Sequence, residues 1–430
     1  MRSLIGGFLL LFFVCPLFAQ NLVIRNAQWF DGEQFQTSDL YIIDGYFSKD
    51  QPGQIDKSLD LSGKYIVPPF GEAHTHNLCS EYGVSSMIDQ YIEEGIFYIQ
   101  VLGGSHEGRL AVARYLEDTP LDVSYANGGI TCTLGHPFTI YEPLAMGIHD
   151  PAEKRKRGAD IRKSRLAEQD AYWFFDSIEE VDKQWAKLRS TNPDNIKIMI
   201  LDAAHYDSLY ANKRMLGGKG LSKIVAEYVV RKAKKDEYRV FAHIETADDF
   251  DFALDIGVDV IAHLPGYAWN GNDDEKAKFE LSTETIQKAA QQQVALISTS
   301  SLSMNYLRTY VDGLPTISRQ TLDRVTQYQR RVLDQLHQAG VPIAIGSDQY
   351  GKSLFVEVDY LYQHDILDKQ RLLKTICETN PQLIFPDRKI GKIADGYEAS
   401  FLVLDENPLT DLQHLHQIDA SFKNGIRINK

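Results

Sequence analysis

Tyr65-Ile66-Val67-Pro68-Pro69-Phe70-Gly71-Glu72-Ala73-His74-Thr75-His76 is an apolar run that ends in two histidines two residues apart. On an extended segment side chains at i and i+2 point the same way, so both imidazoles face one side and can hold one cation. With twelve histidines in 430 residues such a pair also arises by chance, so its weight rests on the rest of the chain. Four later segments each end an apolar run with a residue able to join the same site: Lys197, His243, His263 and Asp348.

Working outward, short apolar runs alternate with longer helical-period stretches from Phe70 to Asp348, the pattern of a parallel βα architecture. Eight strands are expected, ending near His76, Gly103, Asn127, Ile200, His243, His263, Ser298 and Asp348. Runs such as Ile96-Phe97-Tyr98-Ile99-Gln100-Val101 and Val258-Asp259-Val260-Ile261-Ala262-His263 are mostly continuous in apolarity, as strands covered on both faces are. The fold class is therefore α/β, a (β/α)₈ TIM-like barrel. In that fold reactive groups sit at the carboxyl ends of strands, and all five histidine-, lysine- or aspartate-bearing segments end there. Helices are expected at Leu221 to Lys235 and Leu322 to Ala339, their apolar stripes facing the core. Residues 131–176 and 302–319 are long for barrel loops, and such loops commonly form lids or substrate walls.

Short strand signals with turns at Asp31-Gly32 and Asp44-Gly45 precede the barrel, and Ala399 to Asp405 and Ser421 to Ile428 follow it. They are expected to pair into a small composite β-sandwich. The division is a leader at 1–19, sandwich at 20–64, barrel at 65–385 and sandwich again at 386–430. Arg2, the apolar Leu4 to Leu17 and the small Ala19 before Gln20 have the layout of a cleaved secretory signal, so a periplasmic or secreted protein is expected. After that stretch no run approaches the roughly 20 apolar residues of a spanning helix, and no stable membrane insertion is expected. Cleavage leaves Cys79, Cys132 and Cys377, expected as buried free thiols.

With 43% hydrophobic residues the chain can bury a large core. Its net charge of −14 argues against nucleic acid or an anionic membrane as main partner. A small-molecule substrate and a homo-oligomer are both compatible with this composition. The basic run Lys154-Arg155-Lys156-Arg157, with Arg162, Lys163 and Arg165, is the exception and is expected to be a solvated face.

Taken in order, Phe30-Asp31-Gly32, Val67 to His76, Ile196-Lys197-Ile198, Ala242-His243-Ile244-Glu245-Thr246, Gly257 to Gly266, Gly346-Ser347-Asp348 and Ala399 to Leu409 resemble the amidohydrolase superfamily. The likeness covers nearly the whole chain after the leader. It is nearest to the branch of imidazolonepropionase-like proteins and metal-dependent Xaa-Pro dipeptidases. That resemblance implies a distorted barrel with a composite sandwich, one or two divalent metals and hydrolysis of a C–N bond.

The chemistry can be built from the residues. Neutral imidazoles at His74, His76, His243 and His263 with the Asp348 carboxylate make a nitrogen-rich site suited to Zn²⁺, with Mn²⁺, Fe²⁺ or Co²⁺ as alternatives. An ammonium at Lys197 would be repelled by two dications, whereas an N6-carboxylated lysine is an anion able to bridge them, and the resemblance implies that modification. Asp348 is the expected general base and acid. His136, in Thr133-Leu134-Gly135-His136-Pro137, and Tyr206, after the Lys197 strand, are the further catalytic candidates, for the substrate carbonyl or carboxylate and for the oxyanion. Arg109, His106 and Lys219 are weaker carboxylate-binding candidates. A lactonase or esterase, or an exported metal-binding sensor without turnover, are the rival readings.

Overall fold

The computed structural model describes residues 21–212, 215–311 and 314–428. The leader expected at 1–19, including Cys15, lies outside the described residues. Eight parallel strands end where the apolar runs end: β1 Phe70–Thr75, β2 Ile96–Val101, β3 Asp122–Tyr125, β4 Ile196–Met199, β5 Val240–His243, β6 Val260–Ile261, β7 Ala295–Ser298 and β8 Ile343–Ile345. β1, β2, β4, β5 and β7 are buried at every position, as helix-covered strands must be, which explains their unbroken apolarity.

The barrel is distorted at two seams. After β3 the chain forms a further short strand, Gly129–Thr131, which meets β4 only at Ile130–Ile198 and pairs on its other side with Tyr172–Phe174. β8 returns to β1 through one bond, the Asp348 amide to the His74 carbonyl at 2.8 Å. Inside, small and apolar side chains such as Ala73, Phe241, Ala262, Ile297 and Ala344 fill the barrel. The second, larger core lies between strands and helices.

Helix starts follow local chemistry. Ser222 caps Lys223–Lys235 by accepting from the Val225 amide, and Thr246 with Asp249 forms a capping box on Ala247–Asp255. Asp249 also accepts the Asp202 and Ala203 amides at 3.0 and 2.9 Å, so one buried carboxylate ties the loop after β4 to the loop after β5. The long helix Arg319–Gln338 starts three residues earlier than its apolar stripe suggests, its first turn carrying the exposed Arg319 and Gln320 and the half-buried Thr321.

The sandwich is built as expected from both ends of the chain. One sheet orders Tyr46–Ser48, Leu40–Ile43, Leu22–Arg25 and Lys57–Asp60; the other orders Ile426–Arg427, Ile418–Lys423, Phe401–Leu404, Tyr65–Val67, Gln28–Phe30 and Phe35–Thr37. Tyr65–Val67 pairs with Phe401–Leu404 and Gln28–Phe30, so the sheet reaches past residue 64. Pro68 and Pro69 follow directly; lacking N–H groups they stop the ladder, and β1 begins at Phe70. The strand that carries the first two histidines is thus anchored in the sandwich. Asp122 at the start of β3 accepts Arg388 and Lys423 at 2.9 and 2.6 Å, a second tie between the parts. No helix among the described residues is long and apolar enough to cross a membrane. Cys79, Cys132 and Cys377 are free and buried.

Candidate metal centre

The backbone around the barrel mouth explains why the last motif is Gly346-Ser347-Asp348. A Cβ on Gly346 would lie 2.5 Å from the His74 nitrogen, so only glycine lets the two strand ends approach this closely. The Asp348 backbone sits at φ 47°, a left-handed conformation that aspartate tolerates better than most residues. Two bonds hold it there: its own amide to His74 O, and the Ser347 amide to Glu72 Oε1 at 2.9 Å. Glu72 Oε1 also faces the His74 amide at 3.3 Å, so one buried carboxylate sets both strand ends.

On this frame four histidines and Asp348 converge. Asp348 Oδ1 is 2.8 Å from His76 Nε2 and 3.3 Å from His74 Nε2, and Oδ2 is 3.8 Å from His263 Nε2. His74, His263 and Asp348 each offer a ligand atom within 4.8 Å of the others, a possible metal site. His243 adjoins it, its ring 4.5 Å from that of His263, and His74 lies 5.4 Å from His76 and 5.1 Å from His263 by ring centres. His76 Nδ1 faces the Gly103 carbonyl at 2.9 Å, which can only accept from it, and Nε2 points to the Asp348 carboxylate. His263 is oriented by Thr299 Oγ1 at 2.8 Å from its Nδ1.

Burial decides the electrostatics. It pushes His243 down to about 3 and holds His74 and His263 well below the usual imidazole range, with nearby Lys197 adding to the effect in each. These rings are therefore neutral, the form that donates a lone pair to a metal. Lys197, 2% exposed, is brought down to about 7 by desolvation, opposed by the charge of Asp348. Its Nζ, together with His74 Nδ1 and His243 Nε2, is buried without a hydrogen-bond partner among the described residues. Buried polar groups are ordinarily satisfied, and three orphans in one cluster mark a place for a ligand the chain does not supply.

The two catalytic candidates outside this set separate. His136 stacks on His243 at 4.6 Å and is pushed down to about 3 chiefly by burial, so it can donate an N–H but carries no positive charge. Tyr206 is not brought to the histidines in any contact; its ring stacks on Tyr210 at 5.3 Å, on the short helix Tyr206–Ala211. Of the weaker candidates, Arg109 bonds the Asn192 carbonyl at 2.9 Å and covers the Tyr125 ring at 4.5 Å. Buried Lys219 lies over the Tyr210 ring at 4.9 Å, and His106 opens the helix His106–Leu116.

Other residues line the mouth that no strand-end pattern singles out. Tyr267 stacks on His263 at 4.4 Å, Tyr306 lies 6.2 Å from Tyr267, Tyr350 lies 5.7 Å from His76, and Tyr141 Oη is 3.1 Å from His76 Nδ1. Glu245 Oε1 stands 3.9 Å from His243 Nε2. The phenols of Tyr267 and Tyr306 are raised first by burial and then by the charge of Glu245.

A profile described as the amidohydrolase family matches residues 218–427, the stretch that carries His243, His263, Asp348 and the C-terminal sandwich strands. Nearly half of the chain thus matches the amidohydrolase family. Among curated proteins, the ochratoxinase of Aspergillus niger is 24% identical over 187 residues, 43% of this chain. That match spans only 36% of the relative's length. Solved structures with the same fold include a Xaa-Pro dipeptidase with bound methionine (TM-score 0.67, 16% identity, 96% of this chain and 100% of that one). The A. niger ochratoxinase has a TM-score of 0.68 at 16% identity, covering 95% of each chain. A prolidase complexed with N-methylphosphonate-L-proline has 0.66 at 18%, covering 96% and 100%. The donor set fits a divalent metal, as the match to that family would have it: neutral imidazoles, a carboxylate and a buried lysine without a hydrogen-bond partner among the described residues.

Proposed function

We propose that this chain is an exported, metal-dependent hydrolase that cleaves a carbon–nitrogen bond in a small amide, peptide or cyclic amide. The observation that carries the proposal is the convergence of His74, His76, His243, His263 and Asp348 at strand ends, with a lysine whose buried amine has no partner among the described residues. The names of its relatives, a Xaa-Pro dipeptidase and an ochratoxinase, support a peptide or small organic substrate.

His74, His76, Lys197, His243, His263 and Asp348 would hold two divalent ions; Zn²⁺ suits the nitrogen-rich set, and Mn²⁺, Fe²⁺ or Co²⁺ are the alternatives. Lys197 joins them as a carbamate. Its desolvated amine is partly neutral near pH 7, so it can bond to the carbon of CO₂ and release one proton, giving an anion with two oxygens. A bound divalent ion supplies a water acidified towards neutral pH and polarises a carbonyl. Asp348 takes the proton from the attacking water and delivers it to the leaving nitrogen. His136, uncharged, donates an N–H to the substrate's carbonyl or carboxylate. Tyr206 is assigned to the outer wall of the substrate cleft. Export follows from the leader-like residues 1–19, and mass spectrometry of protein from its native host should find a chain starting near Gln20; an intact Met1 would count against it.

The test is a hydrolysis screen of the Zn²⁺-loaded protein against dipeptides, N-acyl amino acids and lactones, with Asp348→Asn as control. Turnover of an amide by the wild type, lost in the variant, is expected. Turnover of lactones alone would replace the amidase with an esterase, and tight metal binding without any turnover would leave a metal-binding protein.

A further inference from the structure

β1 carries His74, with His76 just past its end, and β8 leads into Asp348, yet these two strands lie in separate sheets and share no ladder. At the mouth one backbone bond joins them, from the Asp348 amide to the His74 carbonyl at 2.8 Å. Further down, the seam is bridged by a side chain. Asn380, 0% exposed, opens the short helix Asn380–Ile384. Its Oδ1 accepts from the Ile345 amide at 3.0 Å, and its Nδ2 donates to the Ile345 carbonyl at 2.8 Å and to the Gly71 carbonyl at 2.5 Å. Both N–H donors and the oxygen are used, so this side-chain amide stands in for the peptide group that a ladder would supply.

Gly71 lies three residues before His74 and Ile345 three before Asp348, so Asn380 grips both strands at the same height, about 10 Å along the chain from the ligands. The grip needs glycine at 71: a Cβ there would fall 2.8 Å from Asn380 Cβ and 2.9 Å from the Pro381 ring nitrogen. Without it, β1 is held through its ladder to β2 and β8 through its ladder to β7. We propose that Asn380 is a positioning residue for the metal centre. By fixing the gap between β1 and β8 it sets the separation of the two histidines from Asp348, whose Oδ1 stands 3.3 Å from His74 Nε2 and 2.8 Å from His76 Nε2. The inference rests on the metal-dependent reading above.

Three variants disturb the grip differently. Asn380→Leu removes all three bonds at similar volume, Gly71→Ala pushes the intact amide away from β1, and Asn380→Asp, once protonated, keeps one donor and one acceptor. Val229→Ala is the control; it leaves a cavity at a buried position on the helix Lys223–Lys235, between β4 and β5 and away from the seam. Each protein is loaded with Co²⁺, and its visible spectrum, its affinity in competition with a chelator and its urea stability are measured. Affinity should weaken about 10- to 100-fold in Asn380→Leu and Gly71→Ala, the range found when groups that orient metal ligands are removed, with an altered spectrum. Asn380→Asp should fall between these and the wild type, and Val229→Ala should lose stability while keeping the wild-type spectrum and affinity. Wild-type spectra and affinities in Asn380→Leu and Gly71→Ala overturn the proposal. An equal loss of affinity in Val229→Ala also overturns it, by tying affinity to stability alone. If Asn380→Leu does not fold, Gly71→Ala and Asn380→Asp carry the same comparison. A wild type that takes up no Co²⁺ refutes the metal reading instead, and the gap is then decided by crystallography. The separation of the Asp348 amide from the His74 carbonyl should lengthen in Gly71→Ala, and a value still at 2.8 Å would show that Asn380 does not set it.

Discussion

Glu357 and Lys197 are both ionisable side chains buried at the upper end of the barrel, 0% and 2% exposed, yet their surroundings are opposite. Glu357, on the helix Phe355–Gln363 after β8, accepts from Ser298 Oγ at 2.9 Å, the Ser300 amide at 2.8 Å and the Ser301 amide at 2.7 Å. Lys197, on β4, has no hydrogen-bond partner for its amine among the described residues. The fold satisfies the first by its own loop after β7, so Glu357 is explained by stability alone. It leaves the second, with His74 Nδ1 and His243 Nε2, to be satisfied from outside. Polarity and burial are the same in both; only the partners distinguish a structural charge from a functional one.

The largest effect is expected on the functional side. Asp348→Asn keeps the size and one oxygen but cannot carry a proton, and should lower kcat by about 10² to 10⁴ with the fold intact. A change confined to KM would move Asp348 from proton transfer to substrate binding.

The structural side should respond in stability. Glu357→Ala strands three donors, each costing about 1–3 kcal/mol when buried and unpaired, so urea denaturation should show a loss of several kcal/mol. Lys197→Met should do the reverse in metal-free protein: it removes an unpaired buried amine at similar volume, for a gain of roughly 1–2 kcal/mol, while metal binding falls. A Lys197→Met protein that is as destabilised as Glu357→Ala would erase the contrast.

A further effect is in pH. His243 and His136, at about 3 in the fold against an ordinary 6.5, contribute stability fully present above pH 6.5 and lost as pH falls towards 3. Glu357, raised above the usual carboxylate range by burial, acts with the opposite sign: its contribution is present at low pH and declines as pH rises through its folded value. The melting temperature of metal-free protein should therefore fall between pH 6.5 and 3, and less so in His136→Asn. A flat profile would mean that the imidazoles are more hydrated than their burial implies.

The barrel and three of its candidate ligands are legible in the sequence because they close apolar runs: His74 ends the run from Tyr65, His243 follows Val240-Phe241-Ala242 and His263 follows Val260-Ile261-Ala262. The mouth is not. Tyr267 and Tyr350 lie in loops whose direction is set by tertiary contacts, such as the Gly266 amide on the Glu245 carbonyl, and Tyr306 ends the single-turn helix Ser303–Tyr306; neither carries a repeat. Tyr206 shows the same gap from the other side, since adjacency to the Lys197 strand suggested the histidines and the turn of a short helix carries it to Tyr210. The barrel's seam at Gly129–Thr131 and Tyr172–Phe174 was hidden inside a stretch whose length alone marked it as unusual.

The most direct test of the account is metal stoichiometry together with the state of Lys197, measured on protein purified with added Zn²⁺ and bicarbonate. About two equivalents per chain, with extra density for a carbamate on Lys197 Nζ in a high-resolution map and a lower count in Lys197→Met, is the result predicted for a lysine-bridged site. A wild-type count that stays at one with Lys197 unmodified would contradict it.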